Sequence, residues 1–222
     1  MPERKNYEPF LKGKKFKTET SGAFSSIWEI KDDPEVLVKQ IKPAEKDSIE
    51  NFEELRQDVE EDLRLLEKHV GQFLPEHQLV YGGKSKKEIK SIKPYILTEK
   101  ITPVVQKNEE VKRTMAEQLD NFFDATSKMF LATYQNGVGK TPDLDHSNNF
   151  IFGTSEKNPT PKLYYVDYYP IARLIATEEV EQFISKIIRP YQEIYDFPKT
   201  KKFFELMDNL RGLLDKQHKR KY

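Results

Sequence analysis

The apolar residues of this chain change period part-way along, and that change constrains the fold more than any other feature. In "EVLVKQIKP" (35–43) they alternate. Val36, Val38 and Gln40 fall on one face, and Leu37, Lys39 and Ile41 on the other, as a strand requires. In "DSIENFEELRQDVEEDLRLLEKHV" (47–70), Ile49, Phe52, Leu55, Val59, Leu63 and Leu66 recur at three or four residues, the stripe of an amphipathic helix. Asp47 or Ser48 suits the start of that helix and Gly71 its end.

The same reading extends along the chain. "KFKTETSGAFSSIWEI" (15–30) predicts strand, turn, strand, with Gly22 in the turn. "HQLVYGG" (77–83) and "IKPYILTEKI" (92–101) are strands joined by a Lys-rich turn, and Pro103 breaks the second. A long helix runs over 109–135 on Val111, Met115, Leu119, Phe122, Met129 and Phe130, and Gly137 stops it. After the polar loop "GKTPDLDHSNN", "FIFG" and "KLYYVDY" form a hairpin around "TSEKNPTP". Two helices near 178–195 and 200–217, separated by Pro198, finish the chain. Strands and one helix first, helices later, predict an α+β fold. The expected division is a flexible segment 1–14, an antiparallel-sheet lobe with one helix over 15–98, and a compact, mostly helical lobe over 99–222. The joint lies near "LTEKITP".

Composition excludes several functions. The chain has 222 residues, of which 36% are hydrophobic and 33% charged, and 14 Phe and 11 Tyr supply core material. Lys plus Arg (37) balance Asp plus Glu (37), so the basic footprint of a nucleic-acid binder is missing. There is no Cys, which rules out disulfides and thiolate metal sites, and the four His lack ligand-like spacing. The N-terminus has no apolar signal region, and no apolar run approaches the roughly 18–20 residues of a membrane span. The expectation is a cytoplasmic protein with neither nucleic-acid nor membrane partners. Lys-rich clusters at "KGKKFK", "KSKKEIKSIK" and "KQHKRKY" read as solvated ends and a turn, or as attractors of an anionic partner.

The polar residues sit on this frame in an informative order. Lys39 lies mid-strand on a partly apolar face, where it is either a snorkelling edge lysine or a lysine that neutralises phosphate. The next helix carries Glu60 and Glu61. The later loop holds Asp143, Asp145, Asn148 and Asn149. Asp167 interrupts the aromatic run "YYVDYYP" (164–170), as a turn residue or as a ligand at a strand end. A lysine, a helical acid, an Asp, an Asn five residues on, and an Asp at a strand end make a set for phosphoryl transfer. The lysine neutralises phosphates, an Asn and an Asp hold Mg²⁺, and another Asp orients the attacking hydroxyl.

On these residues the chain resembles the protein-kinase-like superfamily, most of all its aminoglycoside phosphotransferase and choline kinase branch. "SGAFSSIWEI" resembles a reduced glycine loop, which implies Gly22, Ser25 and Ser26 near phosphate. "VLVKQIK" resembles the lysine strand, and "VEEDLRLLEKHVGQFLPE" the following helix, implying Lys39 with Glu60 or Glu61. "YILTEKI" resembles the hinge, so Thr98, Glu99 and Ile101 would border the adenine. "PDLDHSNNFIF" resembles the catalytic loop and "YVDYYP" the metal-binding motif, implying Asp143 as base and Asn148 with Asp167 as metal ligands.

The sequence departs from the pattern at three places. The glycine loop has one glycine. Thr141-Pro142 replaces the usual His-Gly or His-Arg. "SNNF" also allows a register with Asn149 as ligand and Asp145 as the competing base. The stretch between Asp167 and the helix near Glu178 is too short for a peptide-gripping activation segment. The resemblance therefore implies an ATP- and Mg²⁺-dependent phosphotransferase acting on a hydroxyl of a small molecule or a non-standard acceptor, with a protein acceptor as the lesser option. Its alternative is a pseudokinase-like binding module without catalysis.

Overall fold

The computed structural model describes residues 16–21, 25–30, 33–42, 52–82, 93–104, 109–136, 138–143 and 149–175, with isolated helical positions at Glu205, Asp208, Arg211, Gly212 and Lys216. Gly22, Asp145, Asn148 and the helix expected near 178–195 lie outside these residues. The described chain is α+β. It divides into two units. One comprises residues 1–64, 75–102 and 155–159, and the other 65–74, 103–154 and 160–222.

The first unit is built on a five-stranded antiparallel sheet in the order β1-β2-β3-β5-β4. The strands are β1 (Phe16–Ser21), β2 (Ser25–Ile30), β3 (Asp33–Ile41), β4 (His77–Gly82) and β5 (Lys93–Glu99). β3 is the central strand and pairs Val38 with Trp28 on β2 and with Leu97 on β5. The two-residue side-chain period then sorts the sheet into faces. One face buries Ile30, Val38, Val80 and Leu97, with Trp28, Val36 and Tyr95 packed against them. The other carries Ile27, Lys39 and Ile96 side by side.

Helix α1 (Phe52–Val70) follows β3, and a short 3₁₀ turn, Gly71–Phe73, ends it. Its buried residues are Leu55, Val59, Asp62, Leu63, Leu66 and Val70, at the spacing of one helical face. Tyr81 on β4 ties the helix to the sheet. Its hydroxyl donates to Glu60 Oε1 at 2.5 Å, and the Arg56 guanidinium stands 5.9 Å over its ring. Tyr81 pairs with Pro94 and Ile96 pairs with Lys39, so Tyr81 and Lys39 share a face of the sheet.

The second unit centres on helix α2 (Glu109–Thr133), with strands β6 (Thr102–Pro103), β7 (Val138–Thr141), β8 (Phe150–Thr154), β9 (Lys162–Tyr165) and β10 (Ala172–Ile175). β8 and β9 form the hairpin expected from the sequence, with Phe150 opposite Tyr165, and β6 extends it to three strands. The β7–β10 pair was not foreseen: β7 falls in the stretch read as a polar loop. Each strand has only four residues, too few to show a period, and the pair forms through a partner distant in sequence. β7 is held to α2 by the Thr133 hydroxyl, which accepts the Lys140 N–H at 2.8 Å. Between them, Gln135 and Val138 exchange backbone hydrogen bonds around Asn136, whose φ of 51° is a left-handed conformation that Asn tolerates.

Aromatic rings fill the middle of this unit. Phe122 packs edge-on against Phe73 at 5.1 Å and against Phe150 at 5.2 Å, and lies 5.7 Å from Tyr165. Phe122 and Tyr165 are fully buried. Among the described residues, no helix is long and apolar enough to cross a membrane.

Candidate functional site

The predicted residues fall into two groups, one in each unit. In the first, β3 places Lys39 between Ile27 and Ile96, and the side chain is only 6% exposed. A lysine this deep in a sheet face is a buried residue of the central strand rather than a snorkelling edge lysine. Ser25 shares the Lys39 face by register, while Ser26 lies on the opposite face beside Trp28. Thr98 sits opposite Leu37, also on the Lys39 face. Glu99 is turned the other way, and its Oε1 accepts the Glu76 N–H at 3.0 Å. Ile101, just past β5, is 7% exposed.

The helical acids divide sharply. Glu60 and Glu61 are both exposed, and Glu60 is engaged by Tyr81. Asp62, which follows them, is 7% exposed and belongs to the helix's buried stripe. The sequence reading passed over Asp62. Its signal was helical phase: Leu55, Val59, Asp62 and Leu66 are spaced by four, three and four.

The second unit brings three predicted positions together through hydrogen bonds to backbone carbonyls. Asn149 Nδ2 donates to the Asp143 carbonyl at 3.0 Å, and the Val166 N–H donates to the Asn149 carbonyl at 2.9 Å. Asp167 is the next residue, so the end of the β8–β9 hairpin carries Asn149 beside the start of the Asp167 turn. Asp143 is fixed from its other side. Its N–H donates to Tyr165 Oη at 2.8 Å, from a ring locked in the aromatic core. Tyr165 was read only as strand material, and nothing in its sequence context marks this second role.

The geometry sets the orientation of the Asn149 amide. A carbonyl only accepts, so Nδ2 must face Asp143 O, which leaves Oδ1 as the outward acceptor. An amide oxygen and a carboxylate are hard oxygen donors of the type Mg²⁺ takes, with waters or phosphate oxygens completing the shell. Among the described residues there is no group of three or more His, Asp or Glu side chains, so a site made wholly of such side chains does not exist there.

Other features lie apart from the predicted residues. A polar hollow of about 510 Å³ is lined by Lys68, His69, Gln72, Asn121, Asp124, Ala125 and Lys128. Burial and the neighbouring Lys68 charge hold the His69 pKa below its ordinary value of 6.5. At the tip of the β8–β9 hairpin, Lys157 pairs with Glu76, and that hydrogen bond and charge raise the lysine's pKa.

No family model matches the chain. No curated protein matches it either. Among solved structures the chain is similar to "WaaP in complex with acyl carrier protein", with a TM-score of 0.45 and 12% identity over 96% of this chain and 92% of that one. The functional reading rests on the residues themselves.

Proposed function

We propose that this protein is a kinase-like phosphotransferase that uses a Mg²⁺-nucleoside triphosphate to phosphorylate a hydroxyl of a small molecule. The observation that carries the reading is the clamp at Asn149, which holds the Asp143 carbonyl through its side-chain amide and the residue before Asp167 through its backbone carbonyl. Such a clamp gives a catalytic carboxylate and a metal-binding pair a fixed separation, which phosphoryl transfer requires because positioning and charge stabilisation do most of its work.

Each residue then has a role. Lys39 holds the α- and β-phosphates with a desolvated charge. Asp62, rather than the exposed Glu60 or Glu61, orients Lys39 from the buried stripe of α1. Asn149 Oδ1 and Asp167 hold Mg²⁺, which neutralises phosphate charge when bound. Asp143 receives the hydroxyl proton or aligns the hydroxyl for attack. This assignment takes Asn149, the second register of the loop, together with Asp143. The short stretch after Asp167 supports a small acceptor over a peptide. The single glycine before β2 supports the second reading, a nucleotide-binding module without catalysis.

Thermal shift and a turnover assay test the proposal together. A triphosphate with Mg²⁺ at 100 times its dissociation constant stabilises by about 2.7 kcal/mol. Asp167→Asn and Asp62→Asn should weaken that shift. Asp143→Asn should keep the shift and lose phosphoryl transfer to a panel of sugars and amino alcohols. Binding without transfer to any acceptor selects the module reading. No shift with any triphosphate ends both.

A further inference from the structure

We infer that Glu29 and Lys100 read the nucleotide base, and that they select guanine over adenine. This deepens the phosphotransferase reading and rests on it. Glu29 on β2 stands opposite Leu37 on β3, and Leu37 stands opposite Thr98 on β5. All three lie on the Lys39 face, two residues nearer the unit's last strand end than Lys39 itself. With its phosphates at Lys39 and at Ser25, which stands opposite Ile41 on the same face, a triphosphate would lay its base at the other end of the strip, toward Leu37.

That end of the strip is spanned by an ion pair. Lys100 follows β5, and its N–H donates to the Glu35 carbonyl on β3 at 2.8 Å, which fixes the residue beside the central strand. Its ammonium binds Glu29 Oε1 on β2, from the far side of β3. The pair thus bridges across β3 at the level of residues 35–37. The two side chains are 38% and 20% exposed, so both charges are partly desolvated and a ligand that covers them must replace their hydrogen bonds.

Base chemistry decides which ligand does so. The Watson–Crick edge of guanine presents N1–H and N2–H donors side by side with the O6 acceptor. Two donors match the two oxygens of one carboxylate, and O6 accepts from the ammonium. Adenine offers one donor, N6–H, and one acceptor, N1, which leaves a carboxylate oxygen without a donor. One charged hydrogen bond more or less corresponds to roughly tenfold or more in affinity.

Calorimetric titration of the full chain with GTP, ATP and ITP, each with Mg²⁺, tests this. GTP should bind at least about tenfold tighter than ATP, and ITP, which lacks the N2 amino group, should fall between them. Glu29→Gln replaces one acceptor with a donor facing the guanine donors and should bring the GTP/ATP ratio to about one. Lys100→Met should weaken GTP binding more than ATP binding. Wild-type protein that binds ATP as tightly as GTP overturns the inference and leaves the phosphotransferase reading standing. So does a folded Glu29→Gln protein that keeps the preference. Failure of all three triphosphates to bind removes the phosphotransferase reading, and the inference with it. If Glu29→Gln does not fold, the wild-type series and Lys100→Met still decide.

Discussion

Gly139→Ala measures how closely β7 lies on α2. A Cβ at position 139 would stand 2.2 Å from Phe130 Cε2, 2.3 Å from Cδ2 and 3.0 Å from Cγ. Ordinary contact starts at 3.4 Å, so the nearest ring atom must retreat by 3.4 − 2.2 = 1.2 Å. Phe130 has no room to do so. It is fully buried, and the Tyr134 ring lies 5.4 Å from it. Overpacking of this kind costs about 1–3 kcal/mol, and the upper end applies because three ring atoms are involved rather than a flexible tip. In a chain of this size a loss of about 3 kcal/mol lowers the melting temperature by roughly 6–12 °C. Urea unfolding followed by far-UV circular dichroism reads the loss directly. Phe130→Leu supplies the control: it removes ring volume, so the double variant should be less destabilised than the sum of the singles. Because β7 runs into Thr141, Pro142 and Asp143, the single variant should also loosen the Asp143 loop, seen as faster amide exchange at residue 143. A Gly139→Ala protein within about 0.5 kcal/mol of wild type, or strict additivity with Phe130→Leu, would show that the helix and strand do not pack as described.

Two further expectations concern the site and its surroundings. Tyr165→Phe removes the acceptor for the Asp143 N–H while leaving the ring in place, so it should cost about 0.5–1.5 kcal/mol in urea unfolding and lower turnover more than nucleotide affinity. His69 has a folded pKa below 6.5, so the unfolded chain takes up its proton first as pH falls; stability should therefore drop below about pH 6.5, and His69→Gln, which leaves Lys68, Asp124 and Lys128 around the same hollow, should flatten that part of the profile relative to wild type.

The α+β character and the positions of β1 to β5, β8, β9 and the two described helices were legible because local periodicity is written into the chain. The alternation around Lys39 reports a strand whose two faces differ, and the spacing from Leu55 to Leu66 reports a helix that buries one side. The β8–β9 hairpin was legible for the same reason, through two short apolar runs around a turn-rich segment.

What the tertiary structure decided is which member of each polar run points inward. "EED" at 60–62 offers three acids in succession, and the helix buries only the third, because the contacts made by Leu55, Val59 and Leu66 fix its rotation. At 149 the Asn amide bonds to the Asp143 carbonyl, through a register that the Phe150–Tyr165 pairing sets from the other strand. The link between Tyr165 and Asp143, and the reach of Lys100 across β3 to Glu29, join residues far apart in sequence. Periodicity fixes an element's kind because backbone geometry is local. It leaves the element's phase open by a residue, and a one-residue change of phase turns a buried side chain to the other face; contacts from distant parts of the chain make that choice.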